Sequence, residues 1–221
     1  MTAPLTERGL RRIADDLWET PTDTPFPGLT THAYVWASPS AGNVLFYSVA
    51  TSEGVDELAG LGGVAHQYLS HRDEAGPILA EIARRFGSRL HASAAEVDEV
   101  ATHHPPDELF RERVREATGV EVIPTPGHSP GSTCFVVEGV AGRYLFTGDT
   151  LYRTSGGTWA AGYLQGISDA AALARSLDLL AELEPDLVVS SAFSGDAGAH
   201  RVAPGQWREW LDQARASLPS D

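Results

Sequence analysis

The sequence predicts an α/β protein in which two β-sheets pack face to face with helices on the outside. Two observations carry this. Strand-like runs followed by helical stretches occur twice along the chain, and the helical stretches place their apolar residues on one face.

The elements follow in order. "HAYVWA" (32–37) and "NVLFYSVA" (43–50) read as neighbouring strands joined by the turn-forming "SPSAG". "GVAHQYLSH" (63–71) is another strand. A helix opening at Pro77 sets Ile78, Leu79, Ile82 and Phe86 on one face and stops at Gly87. "SRLHA" (88–92) is a short strand, and the second half of "THHPPDELFRERVREATG" (102–119) reads as helical. The order then repeats. "VEVIPT" (120–125) alternates, "STCFVVEG" (132–139) and "RYLFTGD" (143–149) form a hairpin, and residues 168–186 form a helix with Ser168 as N-cap. "LVVSSAF" (187–193) is a buried strand. The closing helix (204–218) carries Trp207, Trp210, Leu211, Ala214 and Leu218 as a core-packing stripe. At 221 residues with no repeat or low-complexity linker, the expectation is one domain spanning 1–221.

Composition narrows the function. A formal charge of −14 argues against nucleic acid or an anionic membrane as partner. All 16 basic residues are Arg, so no lysine nucleophile or Schiff base is available. Cys134, the only cysteine, leaves no disulfide and no Cys-rich zinc site, and reads as a small buried hydrophobe. The N-terminus has no apolar signal core and no run approaches a membrane span, so a cytoplasmic protein is expected.

Chemistry concentrates in "PTPGHSPGSTCF" (124–135) and "YLFTGDTLYR" (144–153). His128 sits in a Gly/Pro turn just after a strand, and Asp149 also ends a strand, so an imidazole and a carboxylate can converge on one metal ion. These motifs closely resemble those of the metallo-β-lactamase fold superfamily, in particular its glyoxalase II-like hydrolases. The resemblance runs from about Ala14 to Val189 and implies a four-layered αββα sandwich with the metal site at one edge. It makes His128 a zinc-ligand histidine and Asp149 the carboxylate that bridges two metals in that family.

The family's T-H-x-H-x-D-H loop corresponds to "SHRDEAG" (70–76), and here the match is partial. His71 stands at the first histidine and Asp73 at the second. Ala75 stands at the aspartate and Gly76 at the last histidine. Ala192, in "PDLVVSSAFSG" (185–195), falls where a further histidine belongs. By this correspondence the three private ligands of the second metal are missing. The first site keeps His71 and His128, with Asp73 as a replacement and Asp149 beside it; a slip of one residue would use Glu74 instead. The resemblance therefore implies one divalent metal or none. Zn²⁺ would serve hydrolysis of a small ester, thioester, lactone or amide, with Asp149 as carboxylate ligand or general base and Asp73 as a fourth ligand or water-positioning group. Fe(II), on the triad His71, His128 and Asp149, would match persulfide dioxygenases of this fold, and Mn²⁺ is a further candidate. A metal-free binding or structural module is the third reading.

Lesser candidates complete the set. His91 is weighed as an outer support of the site against an ordinary core histidine, His66 as a hydrogen-bonded strand residue, and His103 and His104 as solvated. His200, in a Gly-rich loop, is weighed as a replacement ligand for the lost histidine against an ordinary loop residue. "RTSGGTWAAGYLQG" (153–166) is either a loop whose Trp159 and Tyr163 wall a substrate pocket or an ordinary connection, and Arg72 and Arg153 are either holders of an anionic group or ordinary surface residues. "GLGGVA" (60–65) precedes a strand, so it is no dinucleotide fingerprint, and Ser129 lacks a nucleophile elbow.

Overall fold

The computed structural model describes residues 9–26, 29–193 and 197–219. The chain begins with β1 (Arg11–Ala14), β2 (Leu17–Glu19), β3 (Asp23–Phe26), β4 (Leu29–Thr31), β5 (Tyr34–Ser38) and β6 (Gly42–Phe46). Helix α1 (Ser52–Gly60) leads to β7 (His66–Tyr68), α2 (Ile78–Phe86), β8 (Arg89–Ser93), α3 (Val97–Ala101) and β9 (Glu108–Phe110). The second half holds β10 (Val114–Arg115), β11 (Glu121–Pro124), β12 (Thr133–Gly139), β13 (Gly142–Gly148), β14 (Leu151–Arg153) and β15 (Trp159–Ala161). It ends with α4 (Ala170–Leu180), β16 (Leu187–Ser190), β17 (Ala192–Phe193), β18 (Ala199–Arg201) and α5 (Gln206–Ala216).

Two large sheets dominate, in the orders β1-β2-β5-β6-β7-β8-β9 and β10-β11-β12-β13-β16-β18. Alternation along β12 shows how sequence dictates the layering. Phe135 and Val137 face the space between the sheets, whereas Cys134 and Val136 face the opposite side. Trp36, Phe46, Tyr68, Phe135 and Phe146 fill the inter-sheet layer, with Phe46 and Phe146 stacked at 3.8 Å between centroids. Leu173, Leu177 and Leu180 of α4 and Trp207, Trp210 and Leu211 of α5 cover the outer face of the second sheet. Leu79 of α2 and Val100 of α3 cover Leu90 and Ala92 on the first. The result is the four-layered αββα sandwich, and the tryptophan stripe of α5 is core packing as expected.

Local expectations needed revision where tertiary contacts overrode them. The segment expected to be helical after Pro106 instead forms the edge strand β9 beside β8 and the strand β10 beside β11. Phe110 enters the inter-sheet layer there, a burial that a helix of mostly charged residues would not provide. Residues 153–166, expected as a loop, contain the turn and the second strand of the hairpin β14–β15. "LVVSSAF" breaks after Ser190: β16 pairs with β13, while β17 turns to pair with β4. Helix α4 is capped by Asp169, which accepts from the Ala172 N–H at 2.9 Å, and it stops at Leu180. Helix α1, short and with Thr51 as N-cap, was not foreseen.

Candidate metal centre

Four strand-end loops meet at one edge of the sandwich. The first follows β7, where Ser70 and His71 lead into a single 3-10 turn, Arg72–Glu74. That turn sends Glu74 back under the loop and leaves Asp73 exposed at the surface of a pocket. Glu74 accepts from the Ser70 N–H at 2.7 Å and from the Ser70 hydroxyl, and its Oε1 lies 3.3 Å from His71 Nδ1. A carboxylate on Nδ1 leaves Nε2 of His71 pointing into the site. Glu74 is thus a support of His71, and Asp73 is the residue of this turn that faces the other imidazole.

The second loop carries His128. Its Nδ1 lies 2.6 Å from the Gly162 carbonyl oxygen, so an N–H there donates to that carbonyl and Nε2 is free to face Asp73 and Asp149. Ser168, displaced from the capping role, donates its hydroxyl to the His128 carbonyl at 2.8 Å. The third loop leaves β13 at Gly148, whose φ of +51° lies in the left-handed region, and a Cβ there would meet the Ser70 hydroxyl oxygen. Glycine is required for Asp149 to approach the His71 loop. The fourth is the break between β16 and β17, from which Ser191 donates its hydroxyl to Asp149 Oδ1.

Distances define what this can do. His71 Nε2 lies 3.6 Å and His128 Nε2 3.9 Å from Asp149 Oδ2, and His128 Nε2 lies 4.0 Å from Asp73 Oδ2. His71, Asp73 and His128 offer one ligand atom each within 4.8 Å of one another. Tetrahedral ligands about 2.1 Å from Zn²⁺ stand roughly 3.4 Å apart. The imidazole–carboxylate distances to Asp149 and between His128 and Asp73 exceed that by a few tenths of an ångström, and the widest spacing among His71, Asp73 and His128 by about 1.4 Å, so Asp73, the exposed member, must rotate inward to join the set. Two imidazole nitrogens and two carboxylate oxygens suit a divalent cation, so the residues present fit the group. Burial lowers the His71 pKa, but Asp149, Glu74 and Asp73 outweigh it and hold the ring up to about 10. The site thus favours positive charge where the family places a metal.

The pocket above holds about 810 Å³. Ala75, Gly76 and Ala192, which the motif resemblance sets against second-metal ligands, all line it. A Cβ built on Gly76 meets nothing within 4 Å. None of these three side chains can ligate. Tyr163 is in the lining, whereas Trp159 is buried and stacks on Trp210 away from it.

The other sequence candidates lie elsewhere. Arg72 pairs with Glu99 at 2.9 Å and Arg153 donates to the Gly157 carbonyl; neither lines the pocket. His200 sits in β18 against Trp159, not in a loop, and is outside the lining. His91 is a core residue, bonded to His66 at 2.9 Å and stacked on Tyr68. His103 is exposed, as expected, whereas His104 is half-buried.

Two supports escaped sequence reading. Glu96, 1% exposed, accepts from the Arg72 N–H at 2.8 Å and the Gly131 N–H at 3.0 Å, so one carboxylate ties the His71 loop to the His128 loop. Tyr47, at φ 71°, donates its hydroxyl to the Val189 carbonyl and accepts from the Gly148 N–H at 3.0 Å, bracing the Asp149 loop. Neither belongs to a motif; only the helical and strand contexts bring them inward.

Comparison with known proteins agrees with this fold. The profile of the metallo-beta-lactamase superfamily matches residues 60–192, more than half of the chain, and the protein belongs to that superfamily. Among solved structures, the chain is similar to a metallo-beta-lactamase from Pontibacter korlensis, with a TM-score of 0.73 and 17% identity over 95% of this chain and 97% of the other. A metallo-beta-lactamase from Hirschia baltica gives a TM-score of 0.73 at 15% identity, covering 96% and 98%. An archaeal superfamily protein from Sulfolobus tokodaii gives 0.63 at 18%, covering 93% and 86%. At these identities the likeness is one of fold. No protein of curated function matches the sequence.

Proposed function

We propose that the protein is a metal-dependent hydrolase with a single-metal site, cleaving a small ester, thioester, lactone or amide. The observation that carries this is the convergence of His71, Asp73 and His128 within 4.8 Å, beside Asp149 and at the edge of a large pocket. A bound Zn²⁺ would polarise the scissile carbonyl and bring the pKa of a coordinated water towards neutrality. His71 and His128 serve as imidazole ligands, each oriented through Nδ1, by Glu74 and by the Gly162 carbonyl respectively. Asp149, with Oδ1 held by Ser191, presents Oδ2 as a carboxylate ligand. Asp73, exposed at the pocket, completes the donor set or accepts the proton of the attacking water.

Metal analysis on protein purified without chelator or affinity histidines tests this. About one equivalent of Zn²⁺ or Mn²⁺ with ester hydrolysis supports the reading. Less than about a tenth of an equivalent, without recovery on reconstitution, sinks it in favour of a metal-free module. The His71–His128–Asp149 arrangement also fits a two-histidine, one-carboxylate iron site. Iron content with oxygen consumption on a persulfide would establish that second reading. Asp73→Ala separates the roles of Asp73: loss of metal marks a ligand, and retained metal with lost turnover marks a base.

A further inference from the structure

We infer that the pocket selects substrates with an apolar body and no anionic group, so that neutral or cationic acyl compounds are its substrate class. This rests on the hydrolase reading above and adds to it. Four carboxylates line the pocket, Asp73, Glu74, Glu81 and Asp149. No Arg is among the described lining residues, and the chain contains no Lys. A divalent cation would offset two of the four negative charges. The other lining groups able to carry positive charge are His32, His71 and His128, and each already lies within 4.0 Å of a carboxylate of this chain, so none is left over for a carboxylate, sulfonate or phosphate on the substrate.

The walls are apolar where charge is absent. Leu29, Val49, Pro77, Ile78, Tyr163 and Leu164 contribute to the lining. Leu164 is 42% exposed, and Ile167 nearby in the same loop is 60% exposed, so the approach to the pocket is apolar as well. Ala75, Gly76 and Ala192 line the space that the family's pattern gives to a second metal, and that space is available to an apolar body. The two guanidinium groups nearest in sequence to the site are engaged elsewhere, Arg72 by Glu99 and Arg153 by the Gly157 carbonyl. A buried anion would therefore be left unpaired, and pairing is the condition under which burial of charge is tolerated.

Binding and turnover test this separately. Three hexanamide analogues of equal length, ending in methyl, trimethylammonium or sulfonate, are titrated calorimetrically into metal-free and Zn²⁺-loaded protein. The matching p-nitrophenyl esters are assayed on the loaded protein. The methyl and trimethylammonium ligands are expected to bind at least about tenfold more tightly than the sulfonate, with the gap narrowing at high salt. Glu81→Arg, at a residue that accepts only from Ser52 at 3.0 Å, is expected to improve sulfonate binding about fivefold. Equal or tighter binding of the sulfonate to the unaltered protein overturns the inference, as does failure of all three ligands to bind. If the binding order holds while no ester is cleaved, the hydrolase reading fails and the pocket's selectivity stands.

Discussion

Glu96 holds two histidine loops together with one side chain. Its carboxylate accepts from backbone N–H groups on both, and it is buried. Glu96→Gln replaces one acceptor oxygen by a donor and leaves a buried N–H without a partner. We expect a loss of about 1–3 kcal/mol in urea denaturation of the metal-free protein. Zn²⁺ affinity, read by competition with a chelating dye, should fall about 10–100-fold because the imidazoles lose their spacing. No change in either measurement would show that the loops are held by other contacts. Gly162 acts through space in the same region. A Cβ there would sit 1.9 Å from the Asp149 carbonyl oxygen and 3.0 Å from His128 Nδ1. Gly162→Ala should therefore displace His128 or the Asp149 loop and abolish stoichiometric metal binding, checked by elemental analysis.

At the scale of elements, the proposed single-metal site turns on the loop after β7 and the break before β17. Ala75→Asp, Gly76→His and Ala192→His together would restore the ligand types that the family's pattern places there. The triple variant is expected to bind about one further equivalent of Zn²⁺, because its three positions line one pocket. An unchanged stoichiometry in a folded variant would mean that the correspondence drawn at Ala75, Gly76 and Ala192 is wrong. A different element junction governs acid stability. Glu116 joins the β10–β11 turn to the first sheet, with Oε2 3.3 Å from His91 Nδ1 and accepting the Tyr68 hydroxyl. Burial raises its pKa, but His91 and Tyr68 outweigh that and hold it below the ordinary carboxylate value. Its folded pKa is depressed, so its contribution is present above the unfolded value of about 4.3 and is lost as pH falls through the folded one. Glu116→Gln should flatten that part of the stability profile below about pH 4.3, measured by denaturation at successive pH values.

For the molecule as a whole, a metal that binds the folded state alone should stabilise it by mass action. At about 100 times its dissociation constant Zn²⁺ would add roughly 2.7 kcal/mol. For a chain of this length that is a rise in Tm of about 5–10 °C, reversed by a chelator. His128→Ala should remove the rise. A Tm insensitive to Zn²⁺ would argue that the edge of the sandwich binds no metal. Charge acts at this scale too: at −14 the surface as a whole repels anions, in the same sense as the pocket lining.

Much of this was readable from local pattern. Strand and turn signals placed "STCFVVEG" and "RYLFTGD" in one hairpin, and "PGHSPG" and "TGD" marked His128 and Asp149 as strand-end residues. Such features depend on periodicity and turn chemistry, which lie within a few residues of one another. What required the folded chain were contacts between segments distant in sequence. These include the Glu96 bridge between loops, the Gly162 carbonyl on His128, the brace from Tyr47 and the partition of Asp73 from Glu74. The same holds for the strands at 108–115, where burial of Phe110 between sheets outweighed a helical pattern. The chain encodes which residues carry chemistry through their types and spacing. Their mutual orientation arises only when packing brings four loops to one edge.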